Sequence, residues 1–245
     1  MESTEHRTWW SGLLDVAGPL DAIDPTDADL VASRVVLDTD LPGTDPDGPP
    51  VTLVVSGGAG QVAGPSALAA RRGVPLRAVR VTLRDPADLR GNARRVVTAV
   101  EAARVEGALA DDVVVAVGMP DAEPGADWCA AVDEIAALEL AVSLPVEGAD
   151  PLRVAAWLEA VLDRETPVTV VGGHPLAVLG AVRRAFDGEG AVEVAGALAG
   201  PPTRAVAGMD ETSLVGVRRW LRGVETCPDG PAVLAAALAD LGVRA

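Results

Sequence analysis

The sequence predicts an α/β protein of the parallel (β/α) barrel-like type, TIM-barrel-like and incomplete or distorted by one strand, with an open doubly wound sheet as the alternative. Three observations predict it. From Arg34 onward, short β-branched runs alternate with longer Ala/Leu-rich stretches, the pattern of parallel strands joined by crossover helices. The length, 245 residues, is close to the roughly 250 residues typical of one such barrel. Apolar residues make up 49% of the chain, enough to bury a large core and to exclude a disordered protein. One domain spanning 1–245 is expected, with 1–33 as an N-terminal cap or extension.

Within 1–33, Trp9-Trp10 and Leu13-Leu14 suit either a cap over one barrel end or an unrecognised first strand. Strands are then predicted near Arg34–Leu37, Val51–Ser56, Arg77–Leu83, Val113–Val117, Leu140–Leu144 and Val168–Val171, with a weaker one near Gly223–Thr226. The Pro, Gly and Asp content of Leu41–Pro50 marks a loop between the first two of these. From Asp88 to Glu106, Leu89, Ala93, Val96, Val97, Val100 and Ala103 recur at helical spacing opposite charged residues, which predicts an amphipathic helix over a sheet. Asn92, Arg94 and Arg95 are placed on its solvated side. Similar helices are expected over Asp127–Leu138, Pro151–Arg164, Pro175–Phe186 and Thr212–Leu221. Asp150 before Pro151 fits an N-cap and first helical position. Trp128, Trp157 and Trp220 are expected inside helices, packed against the barrel.

Composition removes several chemistries. A formal charge of -16 repels a phosphate backbone, so nucleic acid is not an expected partner. All 20 basic residues are Arg, which excludes Schiff-base lysines, pyridoxal phosphate attachment and a phosphate-loop lysine. Tyr is absent, and only His6 and His174 supply imidazole, too few for a multi-histidine metal centre. The two cysteines, Cys129 and Cys227, form no CxxC pair. No apolar run has the length of a membrane span, and the first residues lack the order of a signal peptide. The expectation is a cytoplasmic protein with no metal, no membrane partner, and cofactor and oligomeric state unassigned.

Five stretches carry a resemblance: Trp9-Trp10-Ser-Gly-Leu-Leu-Asp15, Val54-Val-Ser-Gly-Gly-Ala-Gly60, Gly91-Asn-Ala-Arg-Arg-Val-Val97, Asp163-Arg-Glu-Thr-Pro167, and Arg219-Trp220 followed by Cys227. Together they resemble, nearly end to end, an uncharacterised barrel-like family of bacterial proteins common in high-GC genomes. The resemblance implies a fold and no assigned activity. It also implies lysines near the ends of two consecutive strands, a Gly-Leu-His-His sequence after the second, and a His-rich loop. Here the corresponding positions are Ser143, Thr169 and Gly172-Gly-His-Pro175, and the His-rich loop is missing. A chain without those groups is expected to be a diverged or inactive member.

Ligands of parallel α/β folds bind where strands end and helices begin. That rule selects Asp38, Ser56-Gly57-Gly58, Arg84-Asp85, Met119-Pro120, Ser143, Gly172-Gly173-His174 and Cys227. The glycines after Ser56 would let backbone amides approach an anion, or would simply make a tight turn; their spacing is not that of a dinucleotide fingerprint. His174 could act as general acid or base, or cap a helix. Cys227 could serve as a nucleophile if His174 activates it, or be a small buried hydrophobe. Arg84 could hold a carboxylate or phosphate, while Asp85 before Pro86 could be an N-cap. Asp15, Asp38 and Asp40 could in principle hold a cation, although carboxylates abound in so acidic a chain. The functional expectation is a diverged or inactive small-molecule enzyme with its site at the strand ends. The alternatives are a non-catalytic ligand-binding or assembly protein, and a Rossmann-type nucleotide binder.

Overall fold

The computed structural model describes residues 8–19 and 23–243. His6 and the start of the chain lie outside them. Eight parallel strands close into a barrel in sequence order: β1 Leu14–Ala17, β2 Val31–Leu37, β3 Val51–Val55, β4 Leu76–Thr82, β5 Val114–Gly118, β6 Ala141–Pro145, β7 Val168–Val171 and β8 Leu221–Thr226. The strand that the sequence leaves uncertain is β1. It pairs with β2 on one side and β8 on the other, so the N-terminal segment contributes to the barrel wall. Closure overturns the open doubly wound alternative. With it goes the Rossmann reading, which needs a crevice where strand order reverses.

Helices follow the later strands: α1 Ala63–Arg72, α2 Leu89–Val105, α3 Ala126–Ala136, α4 Pro151–Leu162, α5 Pro175–Phe186, α6 Ala191–Ala199, α7 Pro202–Ala205, α8 Glu211–Val217 and α9 Gly230–Asp240. Among the described residues, the β1–β2 and β2–β3 connections hold only short 3-10 turns, at Pro25–Leu30 and Leu41–Gly43. The crossover from β7 to β8 instead carries four helices, and α5 is buried along most of its length beneath its neighbours. The last predicted helix is shorter than expected: α8 ends at Val217, and Leu221 already belongs to β8.

Strand register divides the side chains into two sets. Arg80 on β4 and Glu225 on β8 form an ion pair. Their strands stand on opposite sides of the barrel, so both side chains must point inward. Following the paired residues around the sheet places Asp15, Ser33, Thr52, Ala78, Ala116, Ala141, Ser143, Thr169 and Gly223 on the same inner face. The alternate positions, among them Leu53, Val79, Val81, Val115, Val117, Val142, Leu144, Val168 and Val170, are buried and face the helices. The helices match this surface with apolar stripes such as Leu89, Ala93, Val96, Val100 and Ala103 of α2.

Three tryptophan expectations resolve differently. Trp128 and Trp157 are buried in α3 and α4, and the Trp157 indole N–H donates to the Ala122 carbonyl at 2.6 Å. Trp220 lies in the turn after α8 rather than within a helix; its ring stands 5.4 Å from that of Phe186, with the Arg219 guanidinium 5.7 Å from its centroid.

Candidate functional site

The C-terminal mouth of the barrel opens into a cavity of about 630 Å³ between the loops that follow β6, β7 and β8. Gly172, Gly173, His174 and Cys227 all line it, and Glu225 and Glu147 add carboxylates. Its apolar wall includes Val146, Val154, Val171, Val178, Leu198 and Val233. A smaller cavity of about 410 Å³ adjoins it, sharing Ala17 and Glu225 and reaching Arg34, Asp40 and Arg80. The strand-end rule therefore brings four of the expected residues to one concave surface.

Gly172 and Gly173 both take positive φ, 82° and 81°, a conformation that L side chains adopt only at a cost. The double turn drops the chain from β7 directly into α5. His174 is the N-cap of that helix: its Nδ1 accepts from the Leu176 N–H at 3.2 Å. That bond places the ring proton on Nε2. Burial holds the imidazole below its ordinary value of 6.5, so the neutral ring prevails at pH 7. Pro175 at the first helical position has no N–H that would need an acceptor.

Cys227 is an exposed free thiol on the same cavity. Among the described residues no hydrogen bond joins it to His174, whose acceptor nitrogen is already occupied. The pair shares a wall without the geometry of a thiol activated by a base.

The Ser56-Gly57-Gly58 loop is a turn. Ser56 Oγ donates to Asp38 Oδ1 at 2.5 Å and its backbone N–H to Oδ2 at 3.0 Å, so the ends of β2 and β3 are clamped together. The Gln61 side chain folds over Gly57 so closely that a Cβ there would overlap its carboxamide. Space that an anion would need is thus taken by the protein. Arg84 is exposed and stands beside Gly58, away from the mouth cavity. Asp85 accepts from Ala87 N–H in a local turn, and the cap of α2 is Asp88, which accepts from Gly91 N–H at 2.9 Å. Asn92 is not on a solvated face: it is buried, and its amide, turned to satisfy its neighbours, accepts from the N–H groups of Arg84 (3.2 Å) and Asp85 (2.8 Å). It holds the β4–α2 loop in place.

Ser143 lies inside the barrel, 2% exposed, in register with Thr169. The two positions where the resemblance implies lysines are therefore adjacent interior sites filled by hydroxyls, and the Thr169 Oγ1 is buried without a hydrogen-bond partner among the described residues.

The groups that sequence reasoning missed are the inner charges Arg77, Arg80 and Glu225, together with the true setting of Asp15, which the sequence offers only as one of three carboxylates for a cation. Asp15, 7% exposed, accepts from Ser33 Oγ at 2.5 Å, and Ser33 shares a 2.7 Å hydrogen bond with Thr52. Arg77 stands 3.6 Å from the same carboxylate. Burial raises the Asp15 pKa; the Ser33 hydrogen bond and Arg77 oppose the rise, and Glu225 adds to it. Above this cluster, Arg80 and Glu225 close the floor of the mouth. Asp15 and Asp38 are engaged separately, so the acidic set does not converge on a cation. The available signal was the charge within strands: Arg80 and Glu225 interrupt runs that a barrel strand normally fills with apolar residues.

No helix among the described residues is long and apolar enough to cross a membrane. Compared with protein-family models and with curated proteins, the chain matches none.

Proposed function

We propose that the protein binds a small organic molecule at the C-terminal mouth of its barrel and is a diverged member of an enzyme lineage that retains the pocket without a working catalytic set. The observation that carries this reading is the convergence of His174, Gly172, Gly173, Cys227 and Glu225 on one cavity of about 630 Å³, within the size range of small-molecule sites. Catalysis has less support, because His174 is spent as a helix cap and Cys227 has no activating partner among the described residues. The resemblance to the uncharacterised bacterial family agrees: Ser143 and Thr169 stand where it implies lysines. We extend the proposal to membership of that family and, because both cysteines are free thiols, to the reducing cytoplasm.

The test is a thermal-shift screen of amine, carboxylate, phosphate and sugar metabolites on the wild type, His174→Asn and His174→Ala. A ligand at about 100 times its dissociation constant adds roughly 2.7 kcal/mol. Asn is a good N-cap and should preserve the melting temperature, whereas Ala should cost about 1 kcal/mol through the lost cap. A compound that stabilises the wild type and loses its shift in His174→Asn supports the mouth as its site. A screen in which no class moves the melt sinks the small-molecule reading.

A further inference from the structure

We infer that the mouth is shaped for a zwitterion, an α-amino acid or a molecule with the same adjacent ammonium and carboxylate, bearing a small apolar side chain. The inference rests on the binding function proposed above and names the ligand class for that site.

The Arg80–Glu225 pair spans the barrel from β4 to β8 with each side chain 15% exposed. A partly buried ion pair contributes little to stability, because desolvation offsets most of the attraction. Apolar residues of similar volume would fill the same barrel layer at no electrostatic cost. The pair also lies where the two cavities meet. Glu225 faces both, and Arg80 faces the smaller.

Charge is distributed unevenly around this junction. The larger cavity is lined by Glu147 and Glu225 and by no arginine among the described residues. The smaller holds Arg34 and Arg80, along with Asp40 and the shared Glu225. An ammonium is therefore favoured on the Glu225 side and a carboxylate on the Arg80 side. The Val146, Val154, Val178, Leu198 and Val233 wall would take the apolar side chain. His174, held neutral at pH 7, lines the same space and adds no charge.

Without ligand, Arg80 and Glu225 satisfy one another. A zwitterion that enters between them gives each a new partner and leaves neither uncompensated. A carboxylic acid alone would draw Arg80 away and strand Glu225; an amine alone would do the reverse. Sites built on paired polar groups reject analogues that leave one of them unpaired.

Calorimetry on the full chain with four probes tests this: leucine, 4-methylpentanoate, 3-methylbutylamine and 3-methylbutan-1-ol. They share one branched side chain and differ in carrying both charges, the carboxylate, the ammonium or neither. Leucine should bind at least about tenfold more tightly than any other, and Arg80→Gln/Glu225→Gln should erase that preference. If either singly charged probe, or the alcohol, matches leucine, the zwitterion assignment is overturned and the mouth stands as a binding site. If none of the four binds at millimolar concentration, the assignment is likewise overturned, and the broader metabolite screen alone decides the binding function. Should the double variant fail to fold, the four-probe comparison on the unaltered protein still separates a zwitterion site from the other three.

Discussion

The two faces of the barrel strands obey different rules. Outward positions are mostly Val and Leu, buried against helices over β3 to β7, with Arg34 and Thr226 as polar exceptions. Inward positions mix Ala, Gly, Ser and Thr with the valines Val35, Val54, Val114 and Val171, and Asp15, Arg80 and Glu225 are set among them. The outward face reflects packing alone, where burial of apolar area supplies the stabilisation. The inward face gives up part of that stabilisation for charges and hydroxyls, a substitution that packing does not require and that points to binding. One sheet thus turns a largely apolar face to the helices and a more polar face to the barrel interior.

Substitutions on the two faces should differ in kind. The largest effect is expected outside: Leu144→Ala, fully buried on β6, should lose about 2–5 kcal/mol in chemical denaturation, through lost transfer energy and a cavity. A loss below about 1 kcal/mol would mean that the outer layer is loosely packed and would break the comparison. An intermediate effect is expected inside. A Cβ on Gly223 would come within 2.5 Å of Asp15 Oδ2, so Gly223→Ala should cost about 1–3 kcal/mol by overpacking. In an Asp15→Ala background that cost should largely vanish, and its persistence would show that the glycine serves the backbone rather than the carboxylate.

The smallest effect concerns pH. Burial raises the folded-state pKa of Asp15 above its ordinary 3.8, so the folded chain holds a proton that the unfolded chain has already released. This group's contribution to stability is full below pH 3.8 and is lost as pH rises through the folded pKa. Asp15→Asn keeps an acceptor for Ser33 and removes the titration. Its stability relative to wild type should therefore improve as pH rises through that window and level off above it. A difference that stays flat with pH would mean that Asp15 is not the buried acid described above.

Much of this was legible in the sequence, and the exceptions share a cause. The helices α2, α4 and α5 declared themselves by periodicity, and α4 and α5 also by caps at Asp150 and His174, whereas the cap of α2 is Asp88 and not the expected Asp85. The mouth residues His174 and Cys227 followed from the strand-end rule. β1 was obscure because four residues, Leu-Asp-Val-Ala, include only one β-branched side chain and one inward acid. Arg80 and Glu225 were passed over for a related reason: a charge inside a strand has no visible partner until closure brings β4 and β8 face to face. Ser56 was found, but its engagement by Asp38 depends on the pairing of two strands. Asn92 could have been recognised, since it falls on the buried stripe three residues after Leu89.

The shortness of β1 has a kinetic consequence. Barrel closure joins it to β8, near the opposite end of the chain, after a crossover that must first assemble four helices. Contacts between such distant segments repay their loop-closure entropy late. The seam between the first and last strands is therefore the most non-local pairing of the sheet, and its closure carries the largest loop-entropy cost of any strand pair.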